Sequence, residues 1–563
     1  MTGRTIARRG IALALAALVL DLLLILPNHP GAMTPGALRL IPLELPAILL
    51  GFLALGPGRA GRILRVLVVG ALVVLVTLKV ADLVTQVALS RSFNPVADWP
   101  LIPAGLNVLA GSLGTLAAVG AAVAGIAAVV ALTGLATWTT GVWMRSGAAR
   151  PVRPVLGAAA LAAAGVAVGE VGEARGLWRL PAEPPGAAFT ARTGVEKVAL
   201  GRRTVAAMRD FAVQARDDAV AGREGLLDAI DTDLLVIFVE SYGRASLDGA
   251  TYAPTHRATL GRAEEALDAA GLASRSGLLV APTSGGQSWL SHTTLATGLW
   301  VPDQMRHVAA LRTGRRTLWQ IAGGAGFRSL AVMPGITMPW PEARALGFEE
   351  TRVAASLGYR GEPFDWVTMP DQYTLRQLEH ILDGADRAPV AAQVALISSH
   401  APWTPIAEPV DWQAVGDGSI FDGSRRAGDA PAVVWRDRDR VREQYRLALD
   451  YALSTVFEFA ARRGEAARPP LILILGDHQA AGWIAEDTRP HVPAHLIGSP
   501  DLVARASDWG WEAGLLPGPA VDPLPMDRMR DLILRTFSSP DRLADARAAG
   551  ADAAAAPRKG PTE

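Results

Sequence analysis

Two apolar runs in this chain end abruptly in residues with metal-ligand chemistry. Leu234-Leu-Val-Ile-Phe-Val239 stops at Glu240, and Leu471-Ile-Leu-Ile-Leu-Gly476 runs into Asp477 and His478. A carboxylate and an Asp-His pair, each delivered at the carboxyl end of a buried strand, are hard and borderline donors suited to one divalent cation. Gly476 lets the backbone turn off its strand so that Asp477 and His478 offer an oxygen and a nitrogen to the same ion. Alone, a strand-end Asp-His is more simply a cap for a neighbouring helix; the matching Glu240 turns the balance toward a metal. A catalytic metal also needs a nucleophile beside it. The segment Pro282-Thr-Ser-Gly-Gly-Gln-Ser-Trp-Leu-Ser-His-Thr-Thr-Leu-Ala-Thr-Gly298 passes through Gly285-Gly286 and enters a helix-like stretch, which sets Ser288 near a helix N-terminus. Backbone amides and the helix dipole there stabilise a phosphoryl or sulfuryl anion, and a cation on the hydroxyl oxygen lowers its pKa and readies it for attack. Capping by Ser288 or Ser284 is the plainer reading, yet capping alone needs no pair of glycines. Thr283, Ser284, Ser291 and Thr293 compete for the nucleophile's role.

The elements that must position these groups alternate. Strand-like runs at Leu234–Val239, Gly277–Val280, Ser329–Val332, Val394–Ile397 and Leu471–Leu475 are separated by helical stretches such as Arg257–Ala270, Arg316–Gly323, Gln372–Leu382 and Arg440–Arg462. This alternation implies an α/β domain with a mostly parallel sheet flanked by helices. Ligands in such sheets collect beyond the carboxyl ends of the strands, where Glu240, Asp477 and His478 converge.

The first third is different. Half of the residues in the chain are apolar, and the long uncharged stretches fall at Ile11–Pro27, Ile41–Pro57, Ile63–Leu89, Thr115–Trp138 and Pro154–Val171. We read these as five transmembrane helices, although the second and fifth are marginal against the roughly 20 residues a bilayer requires. Arg4, Arg8 and Arg9, then Arg59, Arg62 and Arg65, then Arg145, Arg150 and Arg153 fall on one side, against only Arg39 and Arg91 on the other. The positive-inside rule puts the N-terminus in the cytoplasm and everything after the fifth helix outside. The first helix has the charged start of a signal peptide but no small-residue cleavage site before Asn28. The expected organisation is a transmembrane domain at 1–171, a juxtamembrane linker at 172–230 with a helical stretch near Val195–Ala221, an extracytoplasmic catalytic domain at 231–542 and a disordered, Ala-rich tail at 543–563. The absence of cysteine excludes disulfides and thiolate metal sites. Lysine plus arginine equal aspartate plus glutamate at 54 each, which gives no support for a nucleic-acid partner.

Val239-Glu240-Ser241-Tyr242-Gly243, the Gly-Gly-Gln-Ser288-Trp segment, Ser398-Ser399-His400-Ala401-Pro402-Trp403 and Gly476-Asp477-His478-Gln479 follow one another in an order that resembles the lipoteichoic acid synthase-like phosphoglycerol transferases of the sulfatase and alkaline phosphatase superfamily. The resemblance implies an N-terminal five-helix bundle joined to a sulfatase-like domain. It implies one divalent ion, Mn²⁺ or Zn²⁺, held by Glu240, Ser288, Asp477 and His478, with Ser288 transiently esterified. It further implies that His400, in its Ser-x-His-x-Pro setting, contacts the transferred group or leaving oxygen, and that His491 contacts substrate; His495 reads equally well as a core histidine. His292, four residues after Ser288 and so on the same helical face, is a further substrate-binding candidate. The chain departs from the family in having serine where threonine is usual, and in a stretch, Gly361 to Asp371, that matches the family's substrate loop only loosely. Formylglycine sulfatases need a Cys/Ser-x-Pro/Ala-x-Arg signature that Ser288-Trp-Leu-Ser-His does not provide. The expected activity is transfer of a phospho-alcohol head group, of phosphoglycerol or phosphoethanolamine type, from a membrane lipid donor to an envelope glycan or lipid acceptor at a bacterial inner membrane. The alternative is a hydrolase of the same superfamily with water as acceptor. An inert scaffold has no reason to keep all four ligand-type residues together.

Overall fold

Helices occupy each of the five apolar stretches in the first third. The structure, a computed structural model, describes residues 3–89, 91–99, 101–384 and 387–543, and the chain divides into two compact units, Met1–Ala207 and Met208–Glu563. From residue 544 on, the expected tail lies outside the described residues. The first unit contains α1 (Gly3–Ile25), α2 (Glu44–Leu55), α3 (Arg59–Leu89), α4 (Leu101–Leu113), α5 (Thr115–Arg145), α6 (Arg153–Ala174) and the start of α7 (Phe189–Gln214). Among the described residues, three helices are long and apolar enough to cross a membrane: Arg59–Leu89, Thr115–Arg145 and Arg150–Ala174. The 12 residues of α2 reach only about 18 Å at 1.5 Å per residue, short of a bilayer's hydrocarbon. In α1 the apolar run is interrupted by Asp21 and preceded by Arg8 and Arg9. Pro103, Gly105 and Asn107 obscured α4 in the sequence.

Buried charge at one end of this unit is held by partners within the chain, apart from Glu44 Oε2. Lys79 donates to Leu24 O and Thr190 Oγ1, both at 2.9 Å, and Lys197 pairs with Asp82, which also accepts Phe93 N at 2.8 Å. Arg91 grips Asp98 with both terminal nitrogens. Glu44 accepts the amides of Thr190 and Ala191 in the first turn of α7, and Glu170 pairs with Arg192.

In the second unit the apolar runs become strands because each is buried on both faces of one sheet. The strands are β1 (Leu234–Val239), β2 (Ala273–Val280), β3 (Arg328–Met333), β4 (Glu350–Val353), β5 (Val390–Leu396), β6 (Leu471–Gly476), β7 (His491–Gly498) and the short β8 (Glu512–Ala513) and β9 (Leu524–Pro525). The order is β4-β3-β5-β1-β6-β7-β2-β8, with β9 beside β2. From β4 to β6 all pairs are parallel; β7 runs antiparallel to β6 and β2. Residues of β1 alternate between two cores, Leu235, Ile237 and Val239 on one face and Leu234, Val236 and Phe238 on the other. Helix Arg438–Gly464 and α9 (Ala253–Ala269), which follows the single turn α8 (Ala245–Asp248), cover the first face. Helix α10 (Ser288–Thr297) contributes Leu295 and Ala296 to the second. Sequence patterning missed β4, a short edge strand carrying Glu350 and Arg352, and β7, because His491, Pro493 and His495 break its apolar pattern.

Candidate active site

Strand register brings the two metal-type segments together. Val239 of β1 pairs with Gly476 of β6, so the next residues, Glu240 and Asp477, leave the sheet side by side. The approach is tight: a Cβ at position 476 would lie 1.9 Å from Tyr242 O. Gly476 is thus required by close packing of two chain segments, not by the sharp turn expected of it. Ser241, at φ 57°, turns the chain and gives its amide to Asp477 Oδ1 at 2.8 Å. His478 N donates to the same oxygen at 2.7 Å.

The double glycine has a conformational reason. Gly285, Gly286 and Gln287 have φ of 75°, 141° and 70°, a run of left-handed residues that would strain side-chain-bearing positions at 285 and 286. Gly285 N donates to Gln479 O at 2.7 Å, and Ser284 pairs with Gln479, pinning this loop to the His478 loop. Ser288 then opens α10, whose cap position is Gln287 with no side-chain capping bond. Ser288 is therefore not spent as a cap. Its hydroxyl donates to Glu240 Oε2 at 3.1 Å and lies 3.3 Å from His478 Nε2. Three of the four competing hydroxyls are engaged elsewhere: Thr283 with Gly286 O, Ser291 with Asp477 O and Thr293 with His307.

Glu240, Asp477 and His478 each offer a ligand atom, all within 4.8 Å of one another, and all three side chains are buried. His478 Nε2 is 3.2 Å from Glu240 Oε1 and 3.7 Å from Asp477 Oδ2, while its Nδ1 bonds Gln479 O at 3.1 Å. Burial and then the Glu240 charge raise Asp477 well above the usual carboxylate range. Burial also opposes ionisation of Glu240, but His400 and then His478 outweigh it and hold that carboxyl low. Burial would depress His478, yet Asp477 and Glu240 carry it up to about 9. Asp477 and His478 thus gather protons that offset the negative charge of the cluster. A divalent cation would meet the same need, and oxygen donors with one imidazole suit Mn²⁺ and Zn²⁺ alike.

His400 follows β5 in a turn stitched to the site from below. Asp371, at the start of helix Asp371–Leu382, accepts Ile397 N at 2.7 Å and Ser398 N at 3.0 Å through Oδ1. Ser399 Oγ donates to Glu240 O at 2.7 Å. The His400 ring stacks on Trp366 with centroids 3.8 Å apart, and its Nδ1 lies 2.5 Å from Ala401 O, leaving Nε2 as the free nitrogen. The other histidines separate by environment. His292 is buried in α10 against Phe238, its Nε2 has no hydrogen-bond partner, and burial pulls it down to about 4. His491 opens β7 opposite Val280, at the end of the sheet where β6 finishes, among Arg244, Arg489, Asp487 and Asp248 rather than within the Glu240 cluster. His495 is a core residue held by Tyr242 OH at 2.9 Å and Ser276 Oγ at 2.7 Å. Sequence reasoning missed Asp371, whose Pro-Asp helix start was visible, and Gln287 and Gln479, whose buried carboxamides have no partners beside Ser288 and His478.

No family model and no curated protein matches the sequence. Solved structures do. A lipooligosaccharide phosphoethanolamine transferase from Neisseria meningitidis, an integral membrane protein, is 11% identical over 94% of this chain and 97% of its own, with a TM-score of 0.45. A phosphoglycerol transferase from Streptococcus pyogenes is 12% identical over 64% of this chain and 88% of its own, at a TM-score of 0.36. A lipoteichoic acid synthase from Listeria monocytogenes is 11% identical over 51% and 71%, at 0.34. Likeness at this level leaves the functional reading to the motifs and the site itself. The group that the motifs resemble is represented among the solved structures similar to this chain.

Proposed function

We propose that this protein is a membrane-anchored, metal-dependent transferase that moves a phospho-alcohol head group from a lipid donor to an envelope glycan or lipid through a phosphoserine intermediate. The observation that carries the reading is the Ser288 hydroxyl at a helix N-terminus, within 3.1 Å of Glu240 Oε2 and 3.3 Å of His478 Nε2. A divalent cation held by Glu240, Asp477, His478 and Ser288 would lower the serine pKa, so that its proton is lost, and would neutralise phosphoryl charge. Ser288 Oγ then attacks the donor phosphorus; the Oγ–P bond forms as the P–O bond to the diacylglycerol breaks. His400, with Nδ1 engaged by Ala401 O, gives a proton from Nε2 to the leaving oxygen. In the second half the acceptor hydroxyl returns a proton to His400, its oxygen attacks phosphorus, and Ser288 leaves. The amides at the start of α10 hold the phosphoryl oxygens. His491 and His292 contact substrate in this reading. The apolar helices, with α1 and α2 completing a five-helix anchor, keep the site at the outer face of the inner membrane, near its lipid donor.

Head-group release from labelled phosphatidylglycerol and phosphatidylethanolamine, with and without acceptor glycan, tests the proposal. Ser288→Ala should lose at least about 10³-fold. Unchanged activity in that variant overturns the phosphoserine route, and release that is indifferent to acceptor makes the protein a hydrolase.

A further inference from the structure

The three helices long and apolar enough to span a membrane each bring an arginine to one end of the first unit: Arg65 on α3, Arg145 at the end of α5 and Arg153 at the start of α6. Glycines make the junction. A Cβ on Gly147 would lie 2.8 Å from Gly56 Cα, and one on Gly56 would lie 3.2 Å from Arg153 Nη2. At Gly141 a Cβ would be 3.1 Å from Arg65 Nη2 and 3.2 Å from Arg145 Nη1, so both guanidiniums face one point. Arg65 gives one bond to Thr137 O at 2.7 Å, while its Nε is buried without a partner. Arg153 Nε donates to Ala148 O.

Among the described residues, no acidic side chain pairs with these charges. The sequence has no Asp or Glu between Glu44 and Asp82, or between Asp98 and Glu170. Like charges converging on one point repel unless an anion lies between them. Guanidinium forks facing a common point match the two charged oxygens of a phosphodiester. The surroundings indicate where that phosphodiester comes from. Ile63, Val66 and Leu67, beside Arg65, are 62%, 72% and 65% exposed, an apolar surface suited to acyl chains rather than to a free anion in water.

We infer that Arg65 and Arg145, with Arg153 beside the adjoining Gly56–Gly147 contact, form a binding site for the head group of an anionic phospholipid, at the end of the bundle that the arginine bias assigns to the cytoplasm. The site is separate from the proposed chemistry at Ser288 and stands whether or not that reading holds.

The test uses the full-length protein purified in a mild detergent, with retained lipid measured by native mass spectrometry and lipid extraction. Wild type should retain phosphatidylglycerol or cardiolipin over phosphatidylcholine. Arg145→Gln should lower affinity for added phosphatidylglycerol about 5-fold, and Arg65→Gln/Arg145→Gln about 30-fold. The 145 side chain is exposed, so the single variant keeps the test if the double variant fails to fold. Lysine at both positions should restore part of the loss. Inorganic phosphate, titrated in parallel, should not compete at equal concentration. Unchanged lipid retention in Arg145→Gln overturns the inference, and so does phosphate competing as well as the lipid.

Discussion

Lys197 and Asp82 in the first unit and Glu240, Asp477 and His478 in the second are all buried charged or titratable groups, yet their charges are balanced in different ways. The Lys197–Asp82 pair is complete within the chain: Lys197 also reaches Phe93 O and Asp82 also accepts Phe93 N. The Glu240 cluster is not, since two carboxylates share one histidine and a serine hydroxyl. A closed set of charges belongs to folding, because its removal leaves an unpaired ion. An open set asks for a ligand, and its removal costs the ligand first. The converging arginines at the other end of α3, about 21 Å from Lys79 along the helix, are open with the opposite sign.

The sharpest way to break this comparison is to reduce the charge of the open set. Glu240→Gln keeps the size of the side chain but removes its charge. We expect bound metal to fall at least about tenfold and turnover at least about 10³-fold, with a melting temperature close to that of metal-free wild type. Metal analysis, turnover and thermal melts on one preparation read all three. Full turnover in Glu240→Gln with metal retained would show that the cluster is closed after all.

The closed pair should behave in reverse. Lys197→Met leaves Asp82 buried without its cation and should destabilise the first unit by about 3–5 kcal/mol, while turnover of the folded protein stays within about twofold. Lys197→Met with Asp82→Asn should recover at least half, because the carboxamide oxygen introduced at position 82 can still accept Phe93 N. Denaturant unfolding in detergent measures both, and a Lys197→Met protein as stable as wild type would refute the distinction.

His495 tests a closed site that carries no charge. Burial draws its pKa down to about 3 while an unfolded histidine titrates near 6.5. The folded value is depressed, so the stabilisation is present above about pH 6.5 and is lost as pH falls from there toward about 3. Between pH 6.5 and 5 the loss should be about 2 kcal/mol. His495→Gln should be less stable at pH 7 but should lose less on acidification, which urea unfolding at the two pH values will show. Equal slopes would mean that His495 is protonated in the folded protein.

What the sequence made legible follows the same division. Leu234–Val239 and Leu471–Gly476 were readable to within one residue because both faces of these strands are buried, so the apolar run has no polar interruption. Ser288 was visible because left-handed backbone called for glycine two and three residues before it. The reason for Gly476 was hidden, because it lies in a carbonyl from a segment more than 200 residues away in sequence. Strand β7 was obscured by His491, Pro493 and His495, and α4 by its own helix breakers. The number of spanning helices does not follow from hydropathy alone, since α1 carries charge within its length and α2 is short. Asp371, Gln287 and Gln479 act through what they touch or fail to touch in space.

Asp371 stands between the closed and open cases. One oxygen accepts two amides of the His400 turn, and the other is buried with no partner. Burial carries this carboxyl up to about 6, despite the amides of Ile397 and Ser398, which favour its charged form. If Asp371 acts by holding the turn, geometry matters more than charge. Asp371→Asn keeps an acceptor for Ile397 N and Ser398 N and should hold kcat within about threefold of wild type. Asp371→Ala orphans both amides and should lower kcat about tenfold with little change in KM, because donor binding is intact while His400 is misplaced. If the asparagine variant falls as far as the alanine variant, the open oxygen carries the function and its charge belongs with Glu240. A KM effect alone would place Asp371 in substrate binding instead.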